Sequence, residues 1–281
     1  MDFYSVWPYF IIIIFLLCIA NSRLLNSIDN PQDGNLTRVQ TLDGLRGFLA
    51  FGVFFHHVAF YHQHVTYGGW LPPPSRFFVN LGQTSVAMFF MITGYLFWTQ
   101  ALQARGKLDL LKLYVGRVFR IVPLYTVLAV IVLVNAGVMT EWRLQVSPFD
   151  LVIGIMKWLA GGLFSGVPVN GYHDTGAMAG VTWTLRYEWE FYASLVLTSL
   201  FARKMFLGLL FPAAAATIAI PLSLIYPDNL GLAIILLFCI GMLVASLKQA
   251  HLQMPFHLSQ HFCSFAAVVA KIGRASCRER V

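Results

Sequence analysis

An arginine and a histidine stand eleven residues apart in an otherwise apolar stretch, DGLRGFLAFGVFFHHVAFYH, residues 43 to 62. At 3.6 residues per turn, this spacing places Arg46 and His57 within about 20° of one helix face and roughly 16 Å apart along the axis. An ionisable side chain inside a span usually faces a cavity or a partner, and an imidazole can act as a base near neutral pH. The pattern favours chemistry at His57, whereas Arg46 alone is also explained as a boundary cation. His56 points about 100° away and is expected to pack or to donate a hydrogen bond.

A carboxylate that could orient His57 comes from a later apolar segment, VTWTLRYEWEFYASLVL, residues 181 to 197. Glu188 lies about five residues inside the predicted outer end of this helix, and His57 about four residues inside the outer end of its own, so their depths are similar. A carboxylate at this depth would stabilise the charged imidazole. Glu190 is the alternative partner, although Arg186 stands four residues before it and the two could simply pair with each other.

Two further arginines are placed to bind an anion. Arg117 and Arg120 are three residues apart at the predicted start of a helix over 118 to 138, just before Pro123, and so share one face. Guanidinium groups bind phosphate oxygens in a bidentate manner. The pair is therefore either a phosphate clamp or a positive flank that marks the cytoplasmic end of a span.

The elements that position these residues belong to a membrane protein. Of the 281 residues, 58% are hydrophobic and only 11% are charged, and the mean hydropathy is +0.70, well beyond the apolar share of a soluble domain. We therefore expect an all-α, polytopic integral membrane protein with about seven to eight spans. Apolar windows fall at about residues 3 to 20, 44 to 61, 77 to 99, 118 to 138, 183 to 202, 205 to 225 and 230 to 247, with a partial one near 262 to 270.

Basic residues predict the orientation of the spans. The loop from 100 to 120 holds five lysines and arginines against one aspartate, which is typical of a cytoplasmic loop. The loop from 62 to 76 and the N-terminus are then outside, and the connector from 21 to 43 is inside. The segment from 150 to 165 is short and broken by glycines, so we interpret it as interfacial or re-entrant.

Composition also excludes several classes of function. The formal charge of +7 comes from residues scattered between apolar segments, so a nucleic-acid partner is not expected. The four cysteines lack paired spacing, and we expect neither a disulfide framework nor a metal site. The stretch KIGRASCRERV, residues 271 to 281, breaks from the apolar pattern and is interpreted as a non-native tail. On that interpretation the natural protein is truncated here.

Four stretches, in order, resemble the signatures of the membrane-bound acyltransferase family 3, whose members O-acylate surface and secreted carbohydrates. The resemblance covers about residues 40 to 250, and it assigns residues 1 to 270 to one membrane domain with an extra helix at 1 to 22. The stretches are LDGLRGFLAFGVFFHH (42 to 57), SVAMFFMITGYLFW around Gly94 and Tyr95 (85 to 98), YVGRVFRIVPLY (114 to 125) and TWTLRYEWEFY (182 to 192).

The resemblance implies roles for individual residues. Arg46 and His57 match the family's essential arginine and histidine, and Glu188 matches the glutamate before the Phe-Tyr pair. Arg117 and Arg120 match the basic motif that meets the acyl donor, so Arg46, Arg117 and Arg120 are the expected donor-binding residues.

The implied reaction moves an acyl group, acetyl by first expectation, from cytoplasmic acyl-CoA to a hydroxyl of an extracytoplasmic carbohydrate or lipid-linked glycan. The expected location is a bacterial inner membrane, with membrane lipid around the spans and no metal. A secondary transporter or exporter is the alternative, but it predicts inverted-repeat hydropathy and acidic residues deep in several spans, and neither is evident. Sugar-stacking aromatics are a further expectation, although interface belts also explain them: Tyr67, Trp70, Tyr172, Trp183 and Trp189.

Overall fold

The computed structural model describes residues 4–20, 40–164, 166–175, 180 and 182–250, and these residues form a helical membrane protein. The partial window near 262 to 270 and the tail at 271 to 281 lie outside the described residues. In chain order the described helices are α1 (Trp7–Ala20), α2 (Gln40–Tyr67), α3 (Arg76–Gln103), α4 (Leu110–Met139), α5 (Pro148–Leu159), α6 (Trp183–Thr198), a 3₁₀ turn (Ser199–Arg203), α7 (Met205–Ile225) and α8 (Leu230–Gln249).

Each predicted apolar window within the described residues falls on one of these helices. By length and apolarity alone, α3, α4, α7 and α8 can each cross a membrane. Helix α1 is apolar but has only 14 residues. Helix α2 has 28 residues, with several histidines among its apolar side chains, and the 16-residue α6 is continued by the 3₁₀ turn.

Helix α5 confirms that the segment near 150 to 165 is too short to span a bilayer. It has 12 residues, about 18 Å of helix. It ends before Gly161 and Gly162, whose φ angles of 67° and 87° lie in the left-handed region that glycine tolerates.

N-cap residues mark the starts of two later helices, α4 and α8. Asp109 caps α4 by accepting a hydrogen bond from the backbone N–H of Lys112, and Asn229 caps α8 in the same way. The predicted start of α4 near residue 118 is wrong, because this cap begins the helix at Leu110. The connection from α3 is therefore residues 104 to 109, and three of the five predicted loop cations lie on α4 instead.

The chain divides into two compact units, Met1–Phe89 and Phe90–Arg280. In the first unit, α1 packs antiparallel to α2. Tyr4, before α1, donates a hydrogen bond to the Gln63 side chain near the end of α2 (2.7 Å). Tyr9, only 3% exposed, packs with Ala59 and Phe78 in the core.

In the second unit, α3 and α8 approach closely through glycines. A side chain at Gly94 would meet the carbonyl of Phe238, and one at Gly241 would meet the backbone of Met91. Small residues of this kind allow membrane helices to pack backbone to backbone. The interface is also joined by a buried hydrogen bond from the Trp98 indole to the Ser246 hydroxyl (2.9 Å).

A second core in the same unit joins α4 to α5 and the segment after it. Tyr125, Ala129, Val132 and Ala136 form a buried stripe on α4 with helical spacing, and the buried Trp158 of α5 packs against them. The Trp158 indole donates to the carbonyl of Val167 (2.9 Å), which holds the following loop against the helix.

Candidate functional site

The predicted pair of arginine and histidine lies on one continuous helix, α2. Arg46 is in the second turn of α2 and His57 is eleven residues later, with no interruption between them. This confirms that they share a face and are separated by roughly 16 Å along the axis. Both side chains are half-buried.

His57 lies in an aromatic environment in the second half of α2. Its ring centroid is 5.2 Å from that of His56, edge to face, and 6.4 Å from that of Trp70. Trp70 follows α2 after Gly68 and Gly69, whose φ angles of 76° and 74° turn the chain back toward the helix. The tryptophan therefore covers part of the His57 face.

His56 has the structural role that the sequence suggested. Its Nδ1 donates a hydrogen bond to the carbonyl of Phe78 on α3 (2.9 Å). Gly82 lies where the imidazole passes α3, and a side chain there would collide with the ring. This bond fixes the position of His56, and His56 in turn packs against His57.

Glu188 lies in a cluster formed by α3, α4 and α6 in the second unit. It accepts a hydrogen bond from the hydroxyl of Tyr192, one turn later on α6 (2.8 Å). Tyr192 is only 2% exposed, and its backbone carbonyl accepts a further hydrogen bond from the Tyr114 hydroxyl of α4 (2.9 Å). The glutamate is thus held by a tyrosine that is itself fixed to α4.

Arg117 reaches the same cluster from α4. Its guanidinium carbon lies 5.0 Å from the centroid of the Phe97 ring and 5.9 Å from that of the Tyr192 ring. Contacts of a cation with aromatic faces at this range are attractive. The structure therefore brings two predicted site residues, Arg117 and Glu188, into contact with the side chain of Tyr192.

Arg120 differs from Arg117, although the sequence paired them. Both lie within α4 and not at its start, because the helix begins at Leu110. Arg117 is half-buried against the aromatic rings, whereas Arg120 is exposed. The two arginines are thus not equivalent.

The alternative explanation of Glu190 is confirmed. Its carboxylate accepts a hydrogen bond from Nε of Arg186 at 2.9 Å, and both side chains are more than half exposed. Glu190 therefore belongs to a surface ion pair on α6. Glu188 and His57 lie in different units, and their pairing stays a prediction.

Tyr192 is the site residue that sequence reasoning missed. It stands four residues after Glu188, a spacing at which helix side chains meet. The signal was thus present in the Phe-Tyr pair that ends the fourth signature.

A family model described as an acyltransferase domain matches residues 39–273, most of the chain. The chain belongs to the membrane acyltransferase family 3. Neither a curated protein nor a solved structure shows a significant match.

The matched region of this acyltransferase contains every predicted site residue and begins next to α2, after α1. The geometry also accounts for the second signature. Gly94 permits the approach of α8, and the next residue, Tyr95, accepts a hydrogen bond at its hydroxyl from Nζ of Lys248 (3.0 Å).

Proposed function

We propose that this acyltransferase moves an acetyl group from cytoplasmic acetyl-CoA to a hydroxyl of an extracytoplasmic carbohydrate or lipid-linked glycan in a bacterial inner membrane. The observation that carries the proposal is the shared face of Arg46 and His57 on α2. Their separation is about half the thickness of the hydrocarbon core, which is roughly 30 Å. One face of one helix thus offers a cation for a cytoplasmic donor and a base for an acceptor beyond it.

In this reaction His57 acts as a general base. An imidazole nitrogen takes the proton of the acceptor hydroxyl, whose oxygen attacks the thioester carbonyl. The carbon–sulfur bond breaks, and the CoA thiolate leaves and is protonated. General-base assistance contributes about 10² to 10⁴ in rate. In the covalent alternative, the imidazole is first acylated by the donor, with loss of the CoA thiolate, and then passes the acyl group to the hydroxyl. The overall reaction is the same.

Arg46, Arg117 and Arg120 bind the phosphates of the donor. Arg117 is the best supported, because its guanidinium lies over the rings of Phe97 and Tyr192. These contacts restrain a group whose planar set of N–H donors suits phosphate oxygens. Arg120 is exposed and contributes mainly charge.

Glu188 supplies negative charge to the reacting histidine. One carboxylate oxygen accepts the hydrogen bond from Tyr192. The other oxygen can accept a hydrogen bond from a second donor. A carboxylate near an imidazole favours the charged form that appears during proton transfer.

The test uses membranes containing the wild-type chain, His57→Ala or His173→Ala, with radiolabelled acetyl-CoA and surface glycan as the acceptor. His173 is exposed in the loop before α6 and is the control. Label should reach glycan with the wild type and the control, and fall by about 10² or more with His57→Ala. Full transfer by His57→Ala would show that the proposal is wrong. Transfer only from longer acyl-CoA donors would correct the acyl group, and transport of glycan without transfer would favour the exporter alternative.

A further inference from the structure

The end of α2 presents a second histidine on the same face as His57. His57, Phe60 and His64 are spaced three and four residues apart, so they form one stripe on the helix. Trp70 lies over this stripe, with its ring centroid 5.9 Å from that of Phe60 and 5.8 Å from that of His64. Trp70 also contacts His57, so a single indole ring contacts both imidazole rings.

His64 has no use in the reaction described above, yet one of its ring nitrogens is left unpaired by the residues that the structure describes. Its Nδ1 is buried and has no hydrogen-bond partner among the described residues. A buried nitrogen without a hydrogen-bond partner destabilises the protein unless a ligand or water satisfies it. His62, two residues earlier, instead faces Tyr4 on the other side of the helix, at 3.2 Å from its hydroxyl. The stripe of His57 and His64 is thus separate from the face that packs α1.

An aromatic ring flanked by hydrogen-bonding side chains suits a carbohydrate. The apolar C–H face of a pyranose stacks on an indole, and its hydroxyls need polar partners at the ring edge. His57 and His64 are seven residues apart, roughly 10 Å along the axis. This distance is longer than one pyranose ring and close to the length of a disaccharide.

The other predicted sugar-stacking tryptophans have different contacts. The Trp189 indole N–H is bonded to the carbonyl of Gly161 (2.9 Å), and the Trp183 ring packs edge to face on Tyr187. Trp70 is the tryptophan that contacts His57.

We propose that Trp70 and His64 form an acceptor subsite, in which Trp70 stacks on the sugar that presents its hydroxyl to His57 and His64 binds the adjoining sugar. The inference rests on the proposed function, and it assigns the acceptor as a carbohydrate of at least two units. Trp70 determines affinity for any sugar acceptor, and His64 adds affinity only when a second unit is present.

The first experiment measures acetyl transfer in membranes containing the full chain, with two acceptors: a disaccharide fragment of the surface glycan and the methyl glycoside of its acylated sugar. Trp70→Ala should raise the KM for both acceptors by about tenfold, as loss of one stacking contact predicts. His64→Ala should raise the KM for the disaccharide alone, by about three- to tenfold. In both variants the KM for acetyl-CoA and kcat at saturating acceptor should stay within about twofold of wild type.

Two further variants separate binding from a packing role. Trp70→Phe keeps an aromatic face and should recover most of the acceptor affinity. Trp142→Ala removes an exposed tryptophan of the second unit and should leave both KM values unchanged. A fall in kcat with unchanged acceptor KM in Trp70→Ala and His64→Ala would assign both residues to packing around His57, and would overturn the inference.

Direct binding of radiolabelled disaccharide to the purified chain gives a readout that does not need transfer. Weaker binding by Trp70→Ala and His64→Ala supports the subsite even if no acyl-CoA serves as a donor, in which case only the proposed reaction fails. Equal binding by wild type and both variants would overturn the subsite even if transfer is observed.

Discussion

The histidine stripe of α2 and the Glu188 cluster hold their ionisable groups in different ways. In the cluster, Glu188 is bonded to a tyrosine that is itself fixed to α4, and Arg117 lies against two aromatic rings. In the stripe, His57 and His64 are contacted by aromatic rings, chiefly Trp70. The first arrangement fixes charges through neighbouring side chains, which would lower the cost of binding the proposed donor. The second leaves Nδ1 of His64 without a hydrogen-bond partner among the described residues, and this is the group assigned to the proposed acceptor.

The largest expected effect comes from separating the charge of Glu188 from its hydrogen bond. Glu188→Gln keeps an acceptor for the Tyr192 hydroxyl and removes the charge. If the charge serves His57, acetyl transfer should fall by about 10², while thermal stability in detergent stays close to wild type.

Tyr192→Phe is the matched variant, because it keeps the charge and removes the hydrogen bond. It should lower the free energy of unfolding by about 1.5 to 3 kcal/mol, the usual contribution of a hydrogen bond to a charged group. Transfer should fall by less than about tenfold. If Glu188→Gln retains full activity, the glutamate only fixes the side chain of Tyr192 within α6, and the partner of His57 must be sought elsewhere.

A smaller effect should distinguish the two arginines of α4. Arg117→Lys keeps the positive charge but loses the planar group that lies over Phe97 and that would form bidentate contacts with phosphate in the proposed donor site. If acetyl-CoA is the donor as proposed, its KM should rise by about tenfold, equivalent to about 1.4 kcal/mol. The measurement is transfer rate against donor concentration at a saturating acceptor.

Arg120→Lys is the control for that experiment. Arg120 is exposed, so we expect its replacement to change the donor KM by about threefold or less. Equal rises in the two variants would mean that charge alone, and not the stacked geometry of Arg117, binds the donor.

The helical period was enough to predict the shared face of Arg46 and His57, but it did not predict the contacts of the Glu188 cluster. Arg46 and His57 share a face because α2 is regular over the whole interval, and period alone fixes direction in a regular helix. The contact of Arg117 with Phe97 joins two helices, and no spacing within either helix encodes it. Packing between elements decides such contacts.

One wrong helix boundary and one missed contact had signals that were present in the sequence. The basic residues after Asp109 suggested a loop, yet Asp109 is a strong N-cap residue and starts α4 eight residues earlier than hydropathy indicated. The pair Gly68 and Gly69 marked a turn after α2. That the turn directs Trp70 onto His57 depends on two positive φ angles, which residue types permit but do not require.

The smallest expected effect concerns the other glutamate of α6. Glu190 and Arg186 form an exposed pair four residues apart, and such pairs contribute about 0.3 to 0.5 kcal/mol. Arg186→Ala, Glu190→Ala and the double variant should therefore change the free energy of unfolding by less than about 1 kcal/mol each, with a coupling that decreases as salt is added. Acetyl transfer should be unaffected in all three.

Glu188 and Glu190 are only two residues apart on one helix and so face different directions. If Glu190→Ala loses transfer, the assignment of the two glutamates is reversed, and Glu190 is the partner of His57.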